Sequence, residues 1–400
     1  MEIEREIQAI DNEIGLMTGG IDIGANCSTA ALKHYLYKEL NLPVFKTTEN
    51  NQPSLDDMTI VLLKEWCIVN RPEVVPLLSL IQEYRKLAKI KSTYIDGYLR
   101  FINPVTRCIH PDIFSLEVAT GRMSCCNPNL QNMPRMGKDA VGVRDFIKAP
   151  EGNLVLSVDF SQIELRVGAF YCKDETMVNT YRNGGDIHAS TTSVIFNISY
   201  DKARDKEAEG YKENRTIAKN VNFGVFFGIF PKGLQRTLKF QAEIEKSIPE
   251  CETIIRNLKN GYPKIDPWQK MIKENAAKKQ YVETYLGRRR YLPGIKSKDW
   301  AKKSEAERCA LNTPIQGTAA DILKLAMARI IKGLPEREWL KPILQIHDEL
   351  TFIIPAEKLI EATDFIRDCM EARPFSEFDL PLVAEASAGT TFGTMKELEA

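Results

Sequence analysis

Leu154-Val155-Leu156-Ser157-Val158-Asp159-Phe160-Ser161-Gln162-Ile163-Glu164-Leu165-Arg166 changes character at its middle. Its first five residues form an apolar run of strand length that Asp159 closes, and residues 163–171 then take up helical patterning. A carboxylate at the mouth of a buried strand is costly unless something cationic meets it, so a metal ion or a basic partner is implied. A second such place lies further along the chain. Ile343-Leu344-Gln345-Ile346 runs into His347-Asp348-Glu349 and out through Leu350-Thr351-Phe352-Ile353-Ile354, a hairpin pattern with two acids at its tip. Asp159 and Asp348 are 189 positions apart, so a folded sheet must bring them together. Two strand-end aspartates suit two-metal phosphoryl transfer.

Outward from these strands the chain divides by composition. Residues 1–100 read as helices, broken by the Asn- and Thr-rich loop 47–53, with Lys86, Lys89 and Lys91 along the helical stretch 74–98. Residues 101–150 carry Pro, Gly, Asn and Ser at close intervals and predict irregular structure with short strands. Residues 172–306 are mostly helical and strongly charged, and a helix with Pro314 and Gly317 inside it follows over 306–331. There is no internal repeat and no low-complexity tract.

The 54 Lys and Arg balance the 54 Asp and Glu, so net charge argues neither for nor against a polyanionic partner. Local clustering is more informative. Over residues 278–303 the cations are Lys278, Lys279, Arg288, Arg289, Arg290, Lys296, Lys298, Lys302 and Lys303, against Glu283 and Asp299. That stretch is either phosphate-facing or an ordinary solvated helix and loop. The nine cysteines show no CxxC pair and no histidine at zinc spacing, which predicts free thiols in a reducing compartment. No stretch approaches the ~18 apolar residues of a membrane span, and Met1-Glu2-Ile3-Glu4-Arg5 is too charged for a signal peptide. A cytoplasmic protein is expected, in the host cytoplasm if the source is viral.

Arg215, Lys219, Phe223 and Phe227 recur every four residues. On a helix each step of four advances about 400°, so these side chains form a slowly drifting row on one face. Guanidinium and ammonium would grip phosphates, and the rings would offer a flat apolar surface to a base. An amphipathic core helix with snorkelling cations explains the same row.

Asp-Phe-Ser-Gln-Ile-Glu-Leu-Arg (159–166), the helix over 215–228 and Gln-Ile-His-Asp-Glu-Leu (345–350) resemble motifs A, B and C of family A DNA polymerases, the bacterial polymerase I type, and fall in that family's order. Ala-Thr-Gly-Arg-Met-Ser with Asn-Pro-Asn-Leu-Gln-Asn-Met-Pro (119–134), Gly-Arg-Arg-Arg-Tyr-Leu-Pro (287–293) and Asn-Thr-Pro-Ile-Gln-Gly-Thr-Ala-Ala-Asp-Ile-Leu-Lys (312–324) are similar to further segments of it. The resemblance covers most of residues 30–393. It implies an α+β right-hand fold with an antiparallel palm sheet: a thumb over 1–100, palm over 101–171 and 307–400, and helical fingers over 172–306. The implied activity is template-directed addition of deoxynucleotides to a primer 3′ end by two-metal phosphoryl transfer.

By the same resemblance Asp159 and Asp348 would bind two Mg²⁺ ions, with Mn²⁺ as a substitute, joined by the backbone carbonyl of Phe160, and Glu349 would support them from behind. Arg215 and Lys219 would hold the triphosphate, with Lys219 also donating a proton to pyrophosphate. Phe223 and Phe227 would border the nascent base pair, Glu164 would crowd the sugar 2′ position, Gln162 would support it, and His188 would lie near the triphosphate. Arg122, Gln316 and His347, with Asn129, Gln131, Asn132 and Arg308, resemble residues that meet the primer–template, where the minor groove lets correct pairing be felt without reading sequence. Lys89, Lys91, Ser92 and Thr93 would touch backbone phosphates from the thumb. Primer–template DNA and deoxynucleoside triphosphates are thus the implied partners, with no membrane, and a monomer is expected.

Departures from the family pattern are visible. Phe160 and Phe227 stand where the bacterial family usually has Tyr, so two phenolic hydroxyls are absent. Phe223 is the residue that in this family disfavours dideoxynucleotides. Arg135 and Met136 lie, within one position of register, where the family has an arginine reaching the triphosphate. Nothing precedes the thumb, so neither a proofreading exonuclease nor a 5′ nuclease is expected in this chain. Three competing readings stay open: a single-subunit RNA polymerase, against which Glu164 speaks; a noncatalytic DNA-binding remnant, against which Asp159, Lys219 and Asp348 speak; and a two-metal nuclease, which needs no Arg215–Phe227 row.

Overall fold

The structure is a computed structural model that describes residues 2–48, 50–134 and 142–399; Arg135 and Met136 lie outside the described residues. The chain forms two compact units, Met1–Asp112 with Cys126–Phe146 and Ile113–Cys125 with Ile147–Ala400.

The first unit is helical, as the periodicity of residues 1–100 predicts. Helix α1 (Glu2–Thr18) buries Ile10, Ile14 and Thr18, a stripe at intervals of four. Helix α2 (Asp57–Asn70) starts where the Asp56 carboxylate accepts from the Thr59 main-chain N–H and hydroxyl, both at 2.8 Å. Helix α3 (Val75–Lys89) buries Leu77, Leu78, Ile81, Tyr84 and Leu87. Its continuation, Ile90–Ile95, is a π-helical turn that carries Lys91, Ser92 and Thr93. Ile14, Leu32, Leu36, Ile60, Leu63, Leu78 and Ile81 close the core of this unit.

In the second unit strand β1 (Asn153–Phe160) is the centre of a five-stranded sheet among the described residues. Its other strands are β2 (Lys341–Ile346), β3 (Glu349–Pro355), β4 (Ala384–Gly389) and β5 (Lys396–Glu397), in the order β2-β3-β1-β4-β5 with every pairing antiparallel. Val155, Leu156 and Val158 have no exposure, which is why residues 154–158 read as a continuous apolar run rather than an alternation. Helix α4 (Ile163–Cys172) follows at once. Helices α5 (Ile187–Phe196) and α6 (Tyr211–Phe226) belong to the charged region, with further helices at Pro231–Ala242, Ile248–Gly261 and Ile265–Lys279. A two-stranded hairpin, Tyr281–Glu283 with Arg289–Tyr291, leads to helix α7 (Trp300–Gly333).

Helix α7 begins six residues before the expected start at 306, because Asp299 caps it by accepting from the Ala301 N–H at 2.8 Å. It runs through Pro314 without ending there. Helix α8 (Leu359–Glu371) lays Ala362, Thr363, Ile366 and Met370 into the core. Helices and an antiparallel sheet thus form the α+β arrangement expected. Cys27, Cys67, Cys108, Cys172, Cys251, Cys309 and Cys369 are free thiols, and no helix of the described residues is long and apolar enough to cross a membrane.

Candidate active site

The separation of 189 positions between the two aspartates closes at a main-chain hydrogen bond. The Phe160 N–H, next to Asp159, donates to the Asp348 carbonyl at 3.3 Å. The turn between β2 and β3 is only His347 and Asp348, with His347 at φ +55°, a tight two-residue hairpin loop. The His347 carbonyl is fixed by the Gln345 side-chain amide, and the imidazole residue itself is exposed.

Asp159 is exposed at the end of β1, opposite Glu349 on β3 and Glu385 on β4. Cross-strand partners share a face, so three acidic residues form a row over three strands, an arrangement that like-charge repulsion disfavours unless cations meet it. Glu349 also accepts from the Ser157 hydroxyl, one pleat back along β1. Glu385 was not legible in the sequence; only the β1–β4 register brings it beside Asp159. The Phe160 ring is buried in the core, which fixes the strand end from below.

Gln162 is at φ +57° and turns the chain from β1 into α4, where its side-chain oxygen meets the Tyr181 hydroxyl at 3.4 Å. Two residues on, Glu164 is buried and paired with the Arg122 guanidinium, which also lies 3.8 Å from Asp348 Oδ1. Burial pushes the Glu164 carboxyl above the usual carboxylate range, and the Arg122 charge opposes that rise. Burial likewise raises Asp348, against Arg122 and His347. Arg122 is therefore the electrostatic link between the segment after β1 and the hairpin tip.

Helix α6 places Arg215, Lys219 and Phe223 along one side, but the fourth member of the row leaves the helix. Gly228 N–H donates to the Val225 carbonyl at 3.1 Å and Ile229 N–H to the Gly224 carbonyl at 2.9 Å, with Gly228 at φ +74°. This is a Schellman ending, and it makes Phe227 the cap residue, half-buried against the core. Lys219 and Phe223 are exposed. Arg215 pairs with Asp186 at 2.6 Å.

Asp186 also caps α5, accepting from the N–H groups of His188 and Ala189. His188 is buried. Thr191 Oγ1 donates to Asn222 Oδ1 at 2.8 Å, which turns the Asn222 N–H toward His188 Nδ1 at 3.0 Å. An Nδ1 that accepts leaves the proton on Nε2, an assignment from the hydrogen-bond network. Burial depresses His188 to about 4, so at neutral pH it is an uncharged ring with one N–H to donate.

The residues expected to meet nucleic acid are distributed over both units. In the second, Gln316 is half-buried and Arg308 exposed, both on α7. In the first, Asn129 caps the turn Leu130–Asn132 by accepting from Gln131 N–H at 3.0 Å, and the carbonyls of Asn129 and Asn132 accept from Tyr98 and Tyr94. Lys89, Ser92 and Thr93 line a groove of about 480 Å³ with Lys33 and Arg85. Lys91 is instead held by Asp96 at 2.6 Å and Glu4 at 3.2 Å.

Asp159 and Asp348 offer hard oxygen donors, the kind Mg²⁺ takes. Among the described residues no three His, Cys, Asp or Glu side chains gather as a metal group. An Mg²⁺ ion is commonly held by one or two carboxylates, with phosphate and water as its remaining ligands.

Residues 1–394 match the family model for DNA polymerase family A. The chain is 35% identical over 358 residues to DNA polymerase I of Pseudomonas aeruginosa, covering 89% of this chain and 37% of that protein. It is 34% identical over 395 residues to the thermostable DNA polymerase I of Thermus filiformis, covering 97% and 44%. The chain thus spans less than half the length of these relatives. The POL domain of Pol1 from M. smegmatis, solved in complex with DNA primer-template and dNTP, matches with a TM-score of 0.84 at 28% identity, over 98% of this chain and 65% of that one. With its α+β architecture matching a polymerase domain and its sequence matching the family model nearly end to end, the chain belongs to DNA polymerase family A.

Proposed function

We propose that this chain carries out template-directed DNA synthesis, adding deoxynucleotides to a primer 3′ end by two-metal phosphoryl transfer. The observation that carries this reading is the 3.3 Å hydrogen bond from Phe160 N–H to the Asp348 carbonyl, which brings the β1 end that carries Asp159 against the hairpin turn that carries Asp348. The primer-template and dNTP present with the M. smegmatis relative support the same ligands here.

Asp159 and Asp348, with the Phe160 carbonyl, would hold the Mg²⁺ ions, for which Mn²⁺ is a substitute. Bound there, such ions activate a primer hydroxyl and neutralise the charge that builds on the triphosphate. Arg215 and Lys219 bind the triphosphate, and Lys219 gives a proton to the leaving pyrophosphate. His188, neutral and protonated on Nε2, donates a hydrogen bond to a phosphate oxygen. Phe223 and Phe227 flank the base. Glu164, held upright by Arg122, crowds the 2′ position of the sugar and selects deoxyribose. Arg122, Gln316 and His347 follow the minor groove, and Lys89, Ser92 and Thr93 follow phosphates. The division into thumb (1–100), palm (101–171 and 307–400) and fingers (172–306), and a monomeric state, belong to the same reading.

The test is primer extension by the purified chain with Mg²⁺, a primed template and either deoxy- or ribonucleotides. Extension with deoxynucleotides that Asp159→Ala abolishes is expected. No extension by the wild type, or equal extension by the variant, would overturn the proposal.

A further inference from the structure

Arg288 is one of three consecutive arginines, and neither the aspartates nor the triphosphate row accounts for it. Its guanidinium Nη2 donates to the Gly317 carbonyl at 3.0 Å and to Asp321 Oδ1 at 2.8 Å, both on α7. The same guanidinium fills the space beside Gly121. A Cβ at position 121 would lie 2.2 to 2.5 Å from its Cζ and both Nη atoms, and Gly121 is at φ +78°, where L side chains are strained. Gly317 is equally constrained, because a Cβ there would lie 2.5 Å from Thr284 Cγ2 and 3.3 Å from both Arg288 Nη2 and the Thr120 carbonyl. The hairpin tip that carries Arg288 is itself anchored, since Tyr285 N–H donates to Thr318 Oγ1 at 2.9 Å.

One side chain therefore clamps two backbone segments at their glycines. The residue after Gly121 is Arg122, the partner of Glu164 and neighbour of Asp348. The residue before Gly317 is Gln316. A neutral group could pack in this cradle, but a planar guanidinium whose Nη2 answers one carbonyl and one carboxylate while its plane fills the space beside Gly121 fixes orientation as well as distance. We infer that Arg288 is a positioning residue for Arg122 and Gln316: it sets their height against the primer terminus, so that a correctly paired end is favoured over a mispaired one. The inference rests on the polymerase reading above.

The clamp predicts a specific kinetic pattern. Arg288→Ala should lower kcat on a matched primer end by about tenfold to a hundredfold, as small displacements of positioned groups do, while the KM for the nucleotide stays within about twofold. Its preference for matched over mismatched ends should fall toward one. Because the effect passes largely through Arg122, Arg288→Ala added to Arg122→Ala should cost far less than it does in the wild type. Arg288→Lys, which keeps charge toward Asp321 but not the planar group that fills the space beside Gly121, should restore stability and not discrimination. Gly121→Ala, which displaces the guanidinium from the other side, should reproduce the same pattern if Arg288→Ala does not fold. Unchanged discrimination in an active Arg288→Lys or Gly121→Ala protein, or full additivity with Arg122→Ala, would overturn the inference. A wild type that extends no primer would instead overturn the reading beneath it.

Discussion

The Phe160 main-chain N–H and the Asp348 carbonyl meet at 3.3 Å, and this contact ties the end of β1 to the tip of the β2–β3 hairpin. It belongs to the backbone, so the spacing of the two aspartates survives changes to their side chains. Asp348→Asn should therefore fold normally. Its extension rate should drop by on the order of 10³-fold, since one carboxylate's share of metal and transition-state charge is worth several kcal/mol. Rapid-quench extension beside a thermal melt checks this, and a variant with near-wild-type rate would remove Asp348 from the chemistry.

Glu164 is buried with Arg122 as its ion partner. Glu164→Ala opens the space beside the sugar and leaves the Arg122 guanidinium only its longer contact with Asp348, at 3.8 Å. Discrimination against ribonucleotides should fall by about tenfold to a hundredfold, and stability by about 3 kcal/mol as a broken ion pair at a mostly buried site does. Competition assays with both sugars measure the first effect and denaturant titration the second. Undiminished discrimination would mean that another side chain excludes the 2′ hydroxyl.

The sequence showed the strand-to-helix change at Asp159 because burial on both faces leaves an uninterrupted apolar run and helical spacing resumes immediately after it. The hairpin at His347 was visible for the same reason. Glu385 was hidden, because nothing near residues 384–389 marks which β1 residue they face; the β1–β4 register decides that. The Arg215–Asp186 pair joins positions 29 apart on different helices, a relation that spacing does not carry. The four-residue period predicts Phe227 on the helix, because such a period does not show where a helix ends. Gly228 was the available signal.

That ending makes its own prediction. Gly228 is at φ +74°, and a Cβ there would lie 3.3 Å from Leu311 Cδ1. Gly228→Ala should cost about 1–2 kcal/mol, the penalty of a left-handed alanine. Because Phe227 is the cap residue, the KM for the nucleotide should rise as well. A melt with no shift would mean that the Schellman turn tolerates a side chain, and an unchanged KM would separate Phe227 from the nucleotide.

His188 is buried, and its pKa falls from 6.5 to about 4, chiefly by desolvation, with Arg215 and Lys219 adding to the fall and Asp186 opposing it. The sign of the linkage follows from which state takes the proton first. Below pH 6.5 the unfolded chain binds a proton at this ring that the folded one refuses, so the stability present above 6.5 is lost as pH falls toward 4. The full span is about 3 kcal/mol, from 1.36 kcal/mol per pKa unit. Replacing the ring with His188→Gln removes the titration, so the difference in unfolding free energy between wild type and variant should shrink by about that much from about pH 7 to about pH 4. Parallel curves over that window would mean that His188 titrates normally in the folded protein. The Nε2–H would then be a neutral donor only above about pH 6.5, and nucleotide binding would change as pH falls through that value.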